Sequence, residues 1–378
     1  MGIATATFIA TRRAREWRRF DVQLLLYAVL LVALGVVMGY SAGFGAPSQA
    51  GELPQPVKTV IWAGVGLAAF VAAASVDYRW LRSLAFPIYL AIIGLLVLTM
   101  LAGTDLFGAQ MSVRLLGLDF QFSELSKVLM VAVLAAFLAS RGGSVDRPST
   151  IVAAAALVGV PAMLIFRQPD LGTAVVFGAI LAGMLFLAGA SLGWLGIAGG
   201  ALVAAAPFAV GLLHDYQRQR LFCFLDPYAD SQGACYQLVR ALDAIGSGGL
   251  LGKGLTVGAE GQRGYVPVQT TDFIFTVVAE DLGLVGGIVL LTLFALLVWR
   301  ILLIGWQAED SFGALVAAGV GTIVVFQVVV NVGMVLGLMP VTGVPLPFIT
   351  YGGSSLVSLL FGLGIVESVR MRSDRPRL

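Results

Sequence analysis

Proton-transfer chemistry in this chain must rest on carboxylates. The sequence contains a single histidine, His214, and no Gly-x-Ser-x-Gly turn that would support a serine–histidine relay around it. Its histidine and two cysteines also lack the spacing of metal ligands. Asp272 is the best-placed carboxylate, because it ends a polar loop and begins an apolar segment within the stretch Gly264–Asp281. A carboxylate at such a junction can face water and act as a general base, although a role as the N-cap of the following helix would also account for it.

Three more ionisable residues lie within or beside apolar segments, where charge is costly and usually functional. Glu124 and Lys127 are three residues apart near the start of an apolar segment, so a helix would place them on one face, as a charge pair lining a cavity. The alternative is a helix-start acid and a lysine whose ammonium reaches the membrane interface. Asp170, in the turn Arg167–Asp170, could neutralise Lys127 or cap the next helix.

The polar segment 214–272 is the longest loop that the sequence predicts. Its basic residues could bind phosphate groups, because arginine binds phosphate through two hydrogen bonds and lysine as a point charge. The glycine-rich stretches 246–249 and 252–254 resemble phosphate-binding turns only loosely, and flexible surface turns are the alternative. The charged residues of the segment include Arg218, Arg220, Asp226, Asp230, Arg240, Asp243, Lys253, Glu260, Arg263 and Asp272.

The elements that position these residues are membrane helices. Of the 378 residues, 59% are hydrophobic and 12% are charged, against about 25% charged in a soluble domain, and the mean hydropathy is +0.95. Continuous apolar runs of about 20 residues can each cross the membrane, whereas a β-barrel requires alternation. The sequence therefore predicts an all-α polytopic membrane protein of about ten helices, roughly 22–41, 57–75, 84–102, 122–140, 150–166, 171–189, 192–213, 273–302, 312–336 and 347–369.

Basic residues set the expected orientation. They cluster before the first helix, in the second-to-third and fourth-to-fifth connections, and after the tenth helix. With an even number of spans, all four regions lie on one side, which the positive-inside rule makes cytoplasmic. The expected organisation is a cytoplasmic basic tail, seven helices, a large extracytoplasmic loop, three helices and a second cytoplasmic basic tail, over 1–21, 22–213, 214–272, 273–369 and 370–378.

Two further segments carry expectations about local structure. Cys223 and Cys235, the only cysteines, both fall in the predicted extracytoplasmic loop, where a disulfide is permitted; two unpaired thiols are the alternative. The segment Pro340–Ser355 is rich in proline and glycine, and it can re-enter the membrane only where protein or water satisfies its backbone. No cleavable signal peptide is expected, because no apolar region precedes Arg12.

Several longer motifs resemble the SEDS family, the shape, elongation, division and sporulation proteins of bacteria. Their common order along the chain, from the third helix to the tenth, argues against chance agreement. The motifs are FQFSELSK at 120–127, QPDLGT at 168–173, YQLVRALDAIGSGGLLGKGL at 236–255, TDFIFTVVAEDLGLVG at 271–286 and NVGMVLGLMPVTGVPLPFITYGGSS at 331–355.

The resemblance implies a peptidoglycan glycosyltransferase of the bacterial inner membrane, with ten spans, both termini cytoplasmic and the active site outside. It implies that the protein polymerises lipid II into glycan strands and works with a class B penicillin-binding protein and other membrane proteins of the elongation complex, with no nucleic acid as partner. The short tails favour the elongation member over the longer division member. The resemblance places the catalytic carboxylate on Asp272, and the expected substrate-binding residues are Glu124, Lys127, Asp170, Gln168, Arg114, Lys253 and Ser354.

The chain departs from the family pattern at several positions. The family's GA(Q)RW stretch reads GAQMS at 108–112, so its Arg-Trp is absent and Arg114 is a stand-in. Phe122, Thr270 and Cys235 replace a frequent proline, histidine and glycine. These changes put the substrate contacts of residues 108–122 in question but leave Asp272 in place.

The expected reaction is attack of a sugar hydroxyl on an anomeric carbon that carries a polyprenyl pyrophosphate. Asp272 would remove the hydroxyl proton, and Lys127, a loop arginine or a divalent cation, Mg²⁺ or Mn²⁺, would stabilise the leaving pyrophosphate. Two other classes stay open: a transporter that flips lipid II, and a non-catalytic scaffold for the penicillin-binding protein. A transporter site should lie near the midplane between repeats, whereas the polar residues here crowd on one side.

Overall fold

A computed structural model describes residues 16–43, 55–102, 104–106, 109–115, 118–211, 215–228, 230–233, 235–257 and 272–373. Three short strands lie within these ranges, β1 Thr104–Leu106, β2 Ala109–Leu115 and β3 Leu118–Phe120. The helices are α1 Val22–Gly43, α2 Gln55–Ser75, α3 Arg79–Ser83, α4 Ala85–Ala102, α5 Phe122–Arg141, α6 Pro148–Phe166, α7 Leu171–Leu187, α8 Leu192–Gly211, α9 Asp215–Phe222, α10 Tyr236–Gly248, α11 Ile274–Trp306, α12 Ser311–Val335 and α13 Gly353–Met371.

The described residues form the predicted polytopic membrane protein. Seven of their helices, α1, α2, α5, α6, α11, α12 and α13, are long and apolar enough to cross a membrane. Three shorter apolar helices, α4, α7 and α8, complete the set. Each predicted span overlaps one of these ten helices, which confirms the all-helical class.

The structure corrects the sequence prediction between the spans. Strands β1 to β3 pair antiparallel in the order β1-β2-β3, in a connection predicted as a loop. The predicted loop 214–272 contains α9 and α10, so the stretch 246–249 ends a helix and is not a run of flexible turns. The last helix begins at Gly353 and not near 347, because the prolines of the preceding segment cannot donate helical hydrogen bonds.

Helix α13 is the central helix of the bundle and packs against α2, α5 and α12. Gly364 brings it close to α2, since a Cβ at this position would overlap the carbonyl oxygen of Phe70. Small residues at helix contacts are the usual means of close packing in lipid. Helix α12 also contacts α5, α7 and α11, and α11 contacts α1 and α10.

The two ends of the bundle carry different polar groups. Helices α5, α7, α11 and α13 begin at the end of the bundle that holds Asp272. This end is called the site end. At the far end, Arg300 on α11 bonds the carboxylate of Asp21, with 2.6 Å between Nη2 and Oδ2. The backbone nitrogen of Asp21 donates to Glu367 Oε1 on α13 at 2.7 Å. These buried bonds hold the start of α1 against α11 and α13.

A disulfide joins Cys223, which follows α9, to Cys235, which precedes α10. Of the two alternatives that the sequence left open, the disulfide is confirmed. Both cysteines are buried and pack against Leu238 of α10. The bond therefore fixes the start of α10 to the end of α9.

Alkylation of the unfolded protein is expected to label both cysteines only after reduction. In a loop of this size the cross-link contributes about 3 kcal/mol, so the double variant Cys223→Ser/Cys235→Ser should increase hydrogen exchange of α10 amides. Intact-mass spectrometry and hydrogen–deuterium exchange measure the two effects, with Arg240→Met on the same helix as a control that keeps the disulfide. Thiols that react without reductant would contradict the prediction.

Candidate active site

Asp272 is fixed at the site end by its backbone. Its carbonyl oxygen accepts a hydrogen bond from Asn331 Nδ2 of α12 at 2.8 Å, and the same nitrogen donates to the carbonyl oxygen of Val344 at 2.8 Å. The residue is half-buried. The N-cap of α11 is Phe273, whose side chain makes no capping hydrogen bond, so the interpretation of Asp272 as the N-cap is wrong.

The non-helical segment 336–352 joins Asp272 to the start of α7. A Cβ at Gly343 would lie 3.4 Å from Asp272 Oδ2, and a Cβ at Gly172 would lie 2.7 Å from the carbonyl oxygen of Thr342. Protein groups supply some of the hydrogen bonds of this segment: Leu346 N donates to Thr350 Oγ1 at 2.7 Å, for example. Neighbouring residues of the segment, Thr342 and Gly343, thus lie close to the first turn of α7 and to Asp272.

Glu124 and Lys127 form a buried ion pair in the first turns of α5. Lys127 Nζ lies 2.7 Å from Glu124 Oε1, and the two side chains are 3% and 4% exposed. The shared helix face that the spacing predicts is confirmed. Among the described residues, Glu124 Oε2 and Ser123 Oγ are buried without a hydrogen-bond partner. An acceptor of this kind is costly unless something donates to it.

Asp170 is the N-cap of α7, which confirms one of the two interpretations of this residue. Its Oδ1 accepts from Thr173 N at 3.0 Å and its Oδ2 accepts from Gln121 Nε2 at 3.1 Å. Because Gln121 is the N-cap residue of α5, the bond holds the starts of α5 and α7 together. Burial raises the pKa of the Asp170 carboxyl above its ordinary value, although the hydrogen bond from Thr173 N opposes the shift.

The other predicted site residues have separate surroundings. Gln168 is buried and donates to the carbonyl oxygen of Leu96 on α4 at 2.8 Å. Ser354 is buried in the first turn of α13. Lys253 contacts Glu280 on α11 at 2.9 Å. The backbone of Arg114 pairs with that of Asp119 between β2 and β3; the loop 258–271, with Glu260 and Arg263, lies outside the described residues.

Two site residues were not singled out in the sequence, although each lies in one of the quoted motifs. Asn331 is an amide within the apolar helix α12, and a polar side chain in such a helix is the signal that could have identified it. Gln121 precedes the charged pair of α5 but lies in no helical pattern, so its bond to Asp170 depends on the tertiary fold alone.

The chain matches proteins of known family over nearly its whole length. A family model described as "Cell cycle protein", for FtsW, RodA and SpoVE, covers residues 22–375. The peptidoglycan glycosyltransferase MrdB of Escherichia coli (strain K12) is 38% identical over 347 residues, which are 92% of each chain.

Solved structures share the fold. A chain in a structure of a peptidoglycan synthase complex that coordinates polymerization and crosslinking has a TM-score of 0.79 at 32% identity, covering 94% of this chain and 99% of its own. The rod shape determining protein RodA of Thermus thermophilus has a TM-score of 0.70 at 30% identity, covering 94% of this chain and 98% of its own.

Proposed function

Because the chain belongs to the cell cycle protein family of FtsW, RodA and SpoVE, we propose that it is a peptidoglycan glycosyltransferase that polymerises lipid II during wall elongation. One observation carries the proposal: Asp272, a half-buried acidic residue that is not the N-cap of α11, is held at the site end by a hydrogen bond from Asn331 to its backbone carbonyl oxygen. The names of MrdB and of the structural relative RodA support the reaction and the elongation role.

Asp272 is the general base of this reaction. Its carboxylate takes the proton of the acceptor sugar hydroxyl as the oxygen attacks the anomeric carbon of the donor. The new carbon–oxygen bond forms while the bond to the polyprenyl pyrophosphate breaks, and the pyrophosphate leaves with the electron pair. Conversion of an α-linked pyrophosphate into a β-1,4 bond inverts the carbon, so a single displacement suffices and no sugar–enzyme intermediate is needed.

Glu124, Lys127 and Asp170 shape the pocket next to the base. The Glu124–Lys127 pair is buried, and its two charges largely cancel. The Lys127 ammonium can therefore stabilise the leaving pyrophosphate only where a hydrogen-bond donor also contacts Glu124 Oε2. In the described part of the chain no three acidic, histidine or cysteine residues cluster to hold a metal. A divalent cation, Mg²⁺ or Mn²⁺, would take oxygen ligands, which the pyrophosphate and water can supply.

The proposal also covers the orientation of the protein in the membrane and its partner protein. Basic side chains near the far end, such as Arg79, Arg141 and Arg372, favour a cytoplasmic far end with both termini there and an extracytoplasmic site end. The likeness to a chain of a peptidoglycan synthase complex supports assembly with a class B penicillin-binding protein.

Purified protein with lipid II is the direct test. We expect glycan polymer from the wild type, more of it when the penicillin-binding protein is present, and a dependence on Mg²⁺ or Mn²⁺ when a chelator is titrated. Gel separation of labelled polymer measures the product. No polymer under any of these conditions, with folded protein and partner present, contradicts the proposal.

A lipid II transporter shares one observation with the glycosyltransferase, the buried Glu124–Lys127 pair within the helical bundle. Sealed vesicles with polymerisation blocked separate the two functions. Lipid II that crosses the bilayer only when the protein is present would favour transport, whereas polymer without crossing favours the transferase.

A further inference from the structure

Helix α11 is broken close to Asp272. Its 33 residues contain one non-helical residue, Gly283, with φ 67° and ψ −164°. The break separates an outer segment, 274–282, which follows Asp272 almost directly, from the longer part 284–306. A broken membrane helix leaves backbone groups that require partners, and a helical piece of nine residues is marginal by itself. Something else must therefore hold the outer segment.

The loop 249–254 after α10 supplies those partners. Two of its amides donate to carbonyl oxygens on the outer segment, and two of its carbonyls accept from amides beyond the break. A Cβ at Gly252 would overlap the carbonyl oxygen of Asp281, so glycine permits this approach. The bonds run from Lys253 N to Glu280 O (3.0 Å), Gly254 N to Asp281 O (3.0 Å), Leu284 N to Gly249 O (3.0 Å) and Val285 N to Leu250 O (3.2 Å).

Side chains lock the same junction, and Ser41, Lys253, Glu280 and Asp281 are together called the kink clamp. Lys253 Nζ lies 2.9 Å from Glu280 Oε1 and 2.6 Å from Ser247 Oγ. Ser41, in the last turns of α1, donates to Asp281 Oδ2. Glu280 and Asp281 are 2% and 3% exposed, so these two adjacent acids depend on the clamp for stability.

From this arrangement we infer that the kink clamp consists of positioning residues for Asp272. The outer segment is held at one end by the clamp and at the other by Asn331, which bonds the carbonyl oxygen of Asp272 at 2.8 Å. Glu280 lies eight positions after Asp272, which corresponds to about 12 Å along a helix. The clamp thus acts through the rigid backbone and touches no substrate.

The effect on catalysis follows from geometry. A reacting group displaced by about 1 Å can lose a factor of about 10² in rate. Loss of the clamp removes the side-chain bonds at one end of the buried outer segment, so Asp272 samples positions away from the acceptor hydroxyl. Substrate binding, which depends on other residues, is unaffected. The inference rests on the proposed role of Asp272, and it assigns Lys253 to positioning, not to contact with the pyrophosphate.

Lys253→Met, which removes the ammonium but keeps the length of the side chain, tests the inference in the full-length protein. We expect kcat for lipid II polymerisation to fall at least tenfold with KM within a factor of two of the wild type. Amides of residues 274–282 should exchange at least tenfold faster with deuterium. Lys253→Arg, which can still pair with Glu280, should restore both quantities to within threefold.

Two further variants keep the test decisive. Glu280→Gln replaces Lys253→Met if that variant fails to fold. It retains a hydrogen-bond acceptor for Lys253, so its loss of kcat should be smaller than the loss expected for Lys253→Met. Arg240→Met is the matched control, because it removes an exposed ion pair on α10, with 4.0 Å between Arg240 and Asp243, and should change neither kcat nor exchange.

Each outcome decides the matter. A raised KM with unchanged exchange over 274–282 overturns the inference and makes Lys253 a substrate ligand. Wild-type kcat in folded Lys253→Met also overturns it. If the wild type itself makes no polymer, the proposed function fails, and the exchange measurement still shows whether Lys253 holds the outer segment.

Discussion

Asp272→Ala is expected to reduce lipid II polymerisation by a factor of about 10² to 10⁴, the usual contribution of a positioned general base. The loss should appear in kcat, because in the proposed mechanism the carboxylate acts on the hydroxyl proton in the transition state and does not contribute to substrate affinity. Asp272→Asn should be equally inactive, since an amide keeps the shape of the side chain but cannot accept that proton. Initial rates of polymer formation over a range of lipid II concentrations measure both quantities.

Folding should survive the change at Asp272. The residue is not the N-cap of α11, and its hydrogen bond from α12 is accepted by the backbone carbonyl oxygen, which the substitution retains. Asp310 is the matched control, because its carboxylate does cap a helix, accepting from Gly313 N at 2.7 Å. Because Asp310 Oδ2 also accepts a hydrogen bond from Tyr78 Oη at 2.8 Å, Asp310→Ala should cost at least about 1 kcal/mol of stability and leave the rate per folded molecule unchanged. Wild-type polymer from folded Asp272→Ala protein would eliminate the assignment.

Lys127→Met is expected to destabilise the protein by about 3 to 5 kcal/mol, because it leaves the buried carboxylate of Glu124 without its partner at 2.7 Å. Polymerisation should fall as well. The double variant Glu124→Gln/Lys127→Met carries no unpaired charge at this position, so most of the stability should return. Thermal unfolding in detergent gives the stability of each variant.

The double variant separates structure from chemistry. If the pair serves catalysis, polymerisation stays low in the double variant even though the protein folds normally. If the pair only stabilises the bundle, the rate recovers together with the stability. A single Lys127→Met variant that is both stable and active would contradict both roles.

Local patterns predicted the parts of the site that one helix determines. Glu124 and Lys127 share a face because a helix repeats every 3.6 residues, and Asp170 caps α7 because an aspartate before an apolar run meets the first free amides. The ten apolar helices followed from the length of the runs. Asp272 was singled out by family resemblance, since its residue type and position fitted capping equally well.

Contacts between distant parts of the chain could not be predicted from the sequence. The donation from Asn331 to Asp272 spans 59 positions, and no periodicity encodes such a pairing. The break at Gly283 could not be predicted either, because a glycine within an apolar membrane helix is common. The break is recognised only from the hydrogen bonds that the loop 249–254 makes with residues on both sides of it. The last helix was predicted too long because apolar residues continue through the prolines before Gly353.

The break in α11 also changes how the protein fits a lipid bilayer. An unbroken helix of 33 residues would be about 50 Å long, far beyond the roughly 30 Å of hydrocarbon in a typical membrane. Residues 284–306 alone extend about 34 Å, which matches that thickness with a modest tilt. Changes in bilayer thickness therefore act on the longer part of α11, while the height of Asp272 is set by α12 and the loop 249–254.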